Sequence, residues 1–197
     1  MPLQRNEFLP QDLVTIYNSP SGLLDTRTGY PYQMGGLIVG GYFDLTEAEA
    51  QAYGRQQLHE GRYRFVQIDS AATASNIVVG SIGLMKTLAL GVNVITSYDK
   101  GLAAGIRQVV FINAPTATQV AAGCYLFIQE GGDASVLGAG TIGSGNAVGQ
   151  FVASTTGGVV NTSSGAGVGL LTVGIATTTP TASTLFRALL NLPAVQG

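Results

Sequence analysis

The sequence predicts a mainly β protein: a compact β-barrel or β-tulip/sandwich domain preceded by an extended N-terminal arm and one short α-helix. Three observations lead there. Beyond Gly61 the chain runs in short stretches of β-branched and aromatic residues punctuated by Gly, Asn and Pro, the pattern of many short strands. Residues 1–44 hold four of the seven prolines (Pro2, Pro10, Pro20, Pro31), spaced so that no long regular element fits between them. Between these regions, Thr46-Glu47-Ala48-Glu49 is a capping box, in which a hydroxyl and a carboxylate satisfy each other's unpaired backbone donors.

Taken in order, residues 1–61 form the arm plus a helix over about 47–60, stopped by Gly61 and weakened internally by Gly54. The arm carries Phe8, Leu9, Leu13, Val14, Ile16, Tyr17, Tyr30 and Tyr32, too apolar a set for a disordered tail, and must therefore lie against something. Residues 62–197 form the barrel-like domain. Strands are placed at Arg62–Ile68, Ile77–Leu84, Val92–Ser97, Ile106–Ile112, Cys124–Gln129, Ala147–Ala153, Val168–Ile175 and Leu185–Leu190. In Arg62–Ile68, Arg62, Arg64 and Gln67 interleave with apolar residues, so one face is expected inside and the other out.

Charge is scarce. Lys, Arg, Asp and Glu make up 10% of the chain, against about 25% in typical soluble domains. From Ala134 to Phe186 there is no charged residue in 53 positions, which hold 11 of the 28 glycines. So long an uncharged stretch is hard to solvate on an isolated subunit and predicts a homo-oligomer, taken as a trimer. The net charge of −2 offers no basic field for nucleic acid or anionic lipid, so neither is expected as a partner. No apolar run approaches the roughly 20 residues of a membrane span. The opening Met1–Glu7 lacks a leader-like apolar core, and synthesis in a cytoplasm is expected.

Few residues could carry chemistry. Gly138-Ala139-Gly140-Thr141-Ile142-Gly143 fits the G-x-G-x-x-G fingerprint of dinucleotide sites, but no Asp or Glu follows Asp133 to hold a ribose, and Ser144-Gly145-Asn146 opens a helix poorly. A glycine-rich turn between strands is the simpler expectation. His59 is the one histidine, which excludes a His-based metal cluster; it is expected in the last helical turn, where an imidazole meets the helix dipole favourably. Cys124, the one cysteine, is expected as a buried small hydrophobe in a strand. Asp44, Glu47 and Glu49 gather at a helix N-terminus, which explains them. Neither an enzyme nor a cofactor or metal site is expected.

The segment Gly123–Leu137 (GCYLFIQEGGDASVL), with Val148–Val152, Val168–Ala176 and Phe186–Leu192, resembles the cement or decoration proteins of tailed-bacteriophage capsids in the order and spacing of its strands. The likeness covers about residues 105–192. In that family an apolar strand ends in Gln, turns on glycine and resumes as Ala-x-Val. The resemblance implies a structural protein on the outside of the virion, usually a trimer, that clamps neighbouring copies of the major capsid protein without catalytic residues. Phe8, Leu9, Ile16, Tyr17, Tyr30 and Tyr32 are then the capsid-contact candidates. A receptor- or carbohydrate-binding module is the alternative, although the chain has no Trp for an aromatic platform.

Overall fold

The computed structural model describes residues 13–17, 39–87, 94–97, 108–138, 150–153, 160–162, 172–176 and 184–190. The protein is mainly β. Its strands are β1 (Tyr42–Leu45), β2 (Gly61–Ile68), β3 (Ile82–Thr87), β4 (Val94–Ser97), β5 (Gln108–Phe111), β6 (Tyr125–Leu137), β7 (Gln150–Ala153), β8 (Val160–Thr162), β9 (Thr172–Ala176) and β10 (Leu185–Leu190). Among the described residues two short helices, α1 (Glu47–Ala52) and α2 (Ala117–Ala121), accompany them.

Strand pairing closes on itself. β2 pairs β4 in parallel, and the circuit returns to β2 through the antiparallel pairs β4–β3, β3–β5, β5–β6 and β6–β2. This is the hydrogen-bonding circuit of a five-stranded barrel, in which both edges of each strand find partners. Two strands serve more than one neighbour. β2 gives the edge opposite β6 first to β1, at Gly61–Arg64, and then to β4, at Gln67 and Ile68. β6 leaves the barrel in its second half, where Gly132–Leu137 pairs with β10 and leads on through β9 and β7 to β8.

A change of register lets β6 do this. Arg62 opposes Gly131 while Tyr63 opposes Gln129, so Glu130 is an extra residue, a β-bulge. Gly132 follows with φ of 87°, and a Cβ there would stand 2.5 Å from the Gly61 Cα and 2.6 Å from the Glu60 carbonyl oxygen. Only glycine allows so close an approach of backbones. The turn expected at Gly131-Gly132 is therefore a kink inside one 13-residue strand.

Two apolar clusters lie on opposite faces of the β2–β6 pair. One is lined by Val66 and Ile68 of β2, Met85 of β3, Val109 and Phe111 of β5, Leu126 and Ile128 of β6, with Ile77, Val120 and Cys124. The other joins Tyr63, Phe65 and Phe127 to Leu45, Ala50, Leu58, Ile112 and Leu13. One face of this strand was expected to lie outside, but both are buried: Tyr63 and Phe65 face the second cluster, whereas Val66 and Ile68 face the first.

Several expectations need correction. The capping box at Thr46 and Glu49 forms, but α1 spans six residues instead of reaching residue 60. Gly54, at φ of 65°, takes the left-handed conformation just past the C-cap Tyr53 and ends the helix. A second helix was not expected; it rests on a second capping box, formed by Thr116 and Gln119. The strand placed at 77–84 begins at Ile82, because Ser81 Oγ bonds both the N–H and the carbonyl of Val78 and turns the chain there. β1 and β8 were also unforeseen.

The arm is not wholly separate from the domain. Leu13 is fully buried in the second cluster, with Tyr17, Val39 and Phe43 packed against it, and Ile16 packs on the first. Tyr17 and Tyr125 exchange two backbone hydrogen bonds of 2.8 Å. The boundary drawn at residue 61 thus runs through shared packing.

Candidate functional site

Among the described residues, a cluster of polar side chains lies where α1, the segment before β2, β6 and β10 meet. The Tyr63 hydroxyl donates to the His59 carbonyl at 2.7 Å and accepts the His59 N–H at 3.1 Å, which fixes that loop residue. Burial is the main cause that pushes the Tyr63 phenol far above its ordinary range. The imidazole, its side chain 11% exposed, reaches β6 with Nε2 2.9 Å from Ser135 Oγ. On its other side Nδ1 stands 3.7 Å from Glu47 Oε1. His59 therefore sits in a loop, and the expected role at a helix C-terminus does not apply.

Glu47 is itself well held. Its carboxylate accepts the Glu60 N–H at 3.0 Å and the Gln51 amide at 3.1 Å, and Arg187 Nη2 is 3.7 Å away. The Glu60 bond, with further help from Gln51, Arg187 and His59, holds this carboxyl below its usual range. Arg187 of β10 also pairs with Asp133 of β6. These two residues bound the uncharged stretch 134–186, so one ion pair joins its two ends across adjacent strands. Gln129 lies beneath, fully buried, donating to the carbonyls of Asp133 at 2.6 Å, Gly131 at 3.3 Å and Glu60 at 3.4 Å.

Glu47, His59 and Ser135 stand in the order of a hydrolytic relay, but the geometry serves packing. Ser135 is 7% exposed, in the middle of a strand paired with Arg187, so its hydroxyl is not presented to a substrate. The 3.7 Å from Glu47 to Nδ1 exceeds hydrogen-bond length. What the arrangement does is tie four elements together.

A second polar tie sits at the bulge. Arg64 forks onto Glu130, with Nη2 2.9 Å from Oε2, and its Nη1 donates to the Gly40 carbonyl at 2.6 Å. On the same face Arg62 pairs with Asp44 at 2.8 Å and lies over the Tyr42 ring at 4.5 Å. Asp44, first of the three acids expected at the helix start, is therefore a β1 residue bound across the sheet. Cys124 is fully buried just before β6, and burial pushes its thiol up to about 11.

Of the capsid-contact candidates, Ile16 and Tyr17 are brought onto the protein's own cores, Tyr17 edge-on to Phe65 with centroids 5.6 Å apart. Phe8, Leu9, Tyr30 and Tyr32 lie outside the described residues, as do residues 139–143 of the glycine motif. Gly138, the motif's first residue, extends β6 by donating to the Thr184 carbonyl at 3.2 Å.

Sequence reasoning missed Ser135, Asp133, Arg187 and Glu130. The signal for two of them was present: Asp133 and Arg187 are the charges that bracket the uncharged stretch. No protein-family model, curated protein or solved structure matches this chain. Among the described residues no helix is long and apolar enough to cross a membrane, and no group of three or more His, Cys, Asp or Glu could hold a metal ion.

Proposed function

We propose that this chain is a structural virion protein that binds the outside of a phage capsid and stabilises the shell by clamping neighbouring major capsid subunits, working as a homotrimer. The observation that carries it is the fastening of the proline-broken arm at residues 13–17. Leu13 is buried, Tyr17 is bonded on both its N–H and its carbonyl to Tyr125, and Asn113 donates to the Leu13 carbonyl at 3.3 Å. An arm that only needed to be ordered could end there. Instead Phe8 and Leu9 precede this tie in the sequence, and Tyr30 and Tyr32 follow it. A fixed point on a closed barrel, flanked by apolar anchors, suits a part that must transmit load from a neighbouring surface to its own domain.

Two further features support an assembly role. The charged side chains of the polar ties are engaged in joining strands, which gives them a structural purpose. β10 also turns Leu185 and Leu189 outward, 43% and 49% exposed, and large aliphatic side chains on an outer face favour contact with other protein.

Co-sedimentation with undecorated shells tests the proposal. At about 25 cal/mol per Å² and about 150 Å² per buried aromatic, a few anchors supply several kcal/mol before ordering costs, whereas rim ion pairs add about 0–1 kcal/mol each and are screened by salt. Intact protein should stay bound from low to near-molar salt. Removing residues 1–12, or replacing Tyr30 and Tyr32 by Ser, should release it while Leu13 and β1 keep the domain folded. Full binding by both variants would place the contact elsewhere.

A further inference from the structure

We propose that the face of β10 carrying Leu185 and Leu189 is the surface on which a second copy of this chain docks. The contact rests on the homo-oligomer reading given above and stands apart from the capsid reading.

Burial alternates along β10. Phe186, Ala188 and Leu190 are buried on one face, whereas Leu185 and Leu189 on the other are 43% and 49% exposed. Among the described residues they are the two large hydrophobic side chains left exposed. On its β6 side the same face is already occupied: Ser135, the register partner of Arg187, is held by His59 Nε2 at 2.9 Å, and Glu47 of α1 stands 3.7 Å from Arg187 Nη2. That cover stops short of the two leucines. Beyond them β9 sets Ile175 opposite Leu189, and β7 sets Gln150 opposite Ile175, so three neighbouring strands form one row without a charge. Leu185 is also fixed in place. A Cβ on Gly80 would meet its Cδ2, so the side chain lies against bare Gly80 backbone and little freedom remains to be lost on docking.

Charge selects the occupant. An apolar strand face fits a surface that brings no unpaired charge, because an ion stranded in such a contact gives up its water and gains no partner. The uncharged stretch 134–186 supplies such a surface within this chain: it holds all of β7, β8 and β9, with the end of β6 and the start of β10. The charge that β10 carries between the two leucines is answered internally, since Arg187 pairs with Asp133 of its own chain. β8 lies at the end of the described strand order, and residues 154–171 around it contain neither a charge nor a proline, the usual guards against association of strand edges. A second copy therefore meets this face with a surface of the same kind, and Leu185 and Leu189 become the buried centre of the contact.

Sedimentation equilibrium of the full chain, in the absence of shells, tests the contact on wild type and on Leu185→Glu/Leu189→Glu. Both sites are exposed in the single chain. The variant should therefore keep the wild-type circular dichroism while its association weakens about a hundredfold or more. Wild type that stays monomeric across micromolar concentrations, or a folded variant that associates as wild type does, overturns the proposal; in the second case, loss of shell co-sedimentation assigns the face to a capsid subunit instead. Should the glutamates unfold the chain, Leu189→Cys takes their place. Its reaction with excess maleimide should slow as protein concentration rises through the association range, Cys124 being fully buried, and a rate independent of concentration overturns the proposal equally. Association that the glutamates abolish, in a protein that ignores shells, upholds the contact and sinks the capsid reading alone.

Discussion

Removing the arginine from the bulge should reveal how much the protein relies on a buried ion pair. Arg64 and Glu130 have side chains 15% and 2% exposed and meet in a two-pronged contact, with Gly40 held by the same guanidinium. Arg64→Met takes the guanidinium away from the buried Glu130 carboxylate, a loss of about 3–5 kcal/mol. For a chain of this size that corresponds to a fall in Tm of roughly 6–20 °C, at about 2–4 °C per kcal/mol. The double variant Arg64→Met/Glu130→Met removes the stranded charge and leaves chiefly the Gly40 carbonyl short of a donor, about 1 kcal/mol. It should come within about 2 kcal/mol of the wild type. Urea denaturation followed by circular dichroism at pH 7 measures all three proteins. If Arg64→Met costs under about 1 kcal/mol, or if the double variant is as unstable as the sum of the single ones, the pair does not hold the bulge in the way described.

Other perturbations probe neighbouring features. Gly132→Ala introduces a Cβ 2.5 Å from Gly61 Cα at a φ of 87°, and should cost about 2–4 kcal/mol; a neutral effect in thermal melts would show that β6 does not kink there. Tyr63→Phe removes both hydrogen bonds to the His59 backbone and should lose about 1–3 kcal/mol in urea, with His59 amide exchange accelerated. Cys124 is fully buried with its thiol pushed up to about 11, so a disulfide reagent at pH 8 should label it only at the rate of unfolding, and Cys124→Ser should not alter oligomeric state by light scattering.

The fold class was legible because its signals are local. β-branched runs between glycines marked eight of the ten strands among the described residues, and Leu185–Leu190 fell at the bounds given for β10. What sequence could not show is non-local. That β2 divides one edge between β1 and β4 depends on which strands meet in space, and nothing in Tyr42–Leu45 announces a partner at Gly61–Arg64. Local chemistry also misled where two signals competed. Gly54 and Gly61 both suit a helix stop, and the left-handed conformation at Gly54 won. The polar cluster was illegible for the same reason as the barrel: His59 and Ser135 are 76 positions apart, and the pairing of β6 with β2, which His59 precedes, brings them together. The arm was half legible. Its apolar content implied a surface to lie on, and for Leu13, Ile16 and Tyr17 that surface is the protein's own core.

Cryo-electron microscopy of shells before and after addition of the purified protein tests the central claim most directly. Threefold-symmetric density should appear on the outer surface over the junctions between major capsid subunits, with the chain closest to those subunits traceable to residues 1–12 or 18–38. Density confined to a tail or its tip would instead favour the receptor- or carbohydrate-binding alternative, and shells left bare at saturating protein would contradict the capsid assignment.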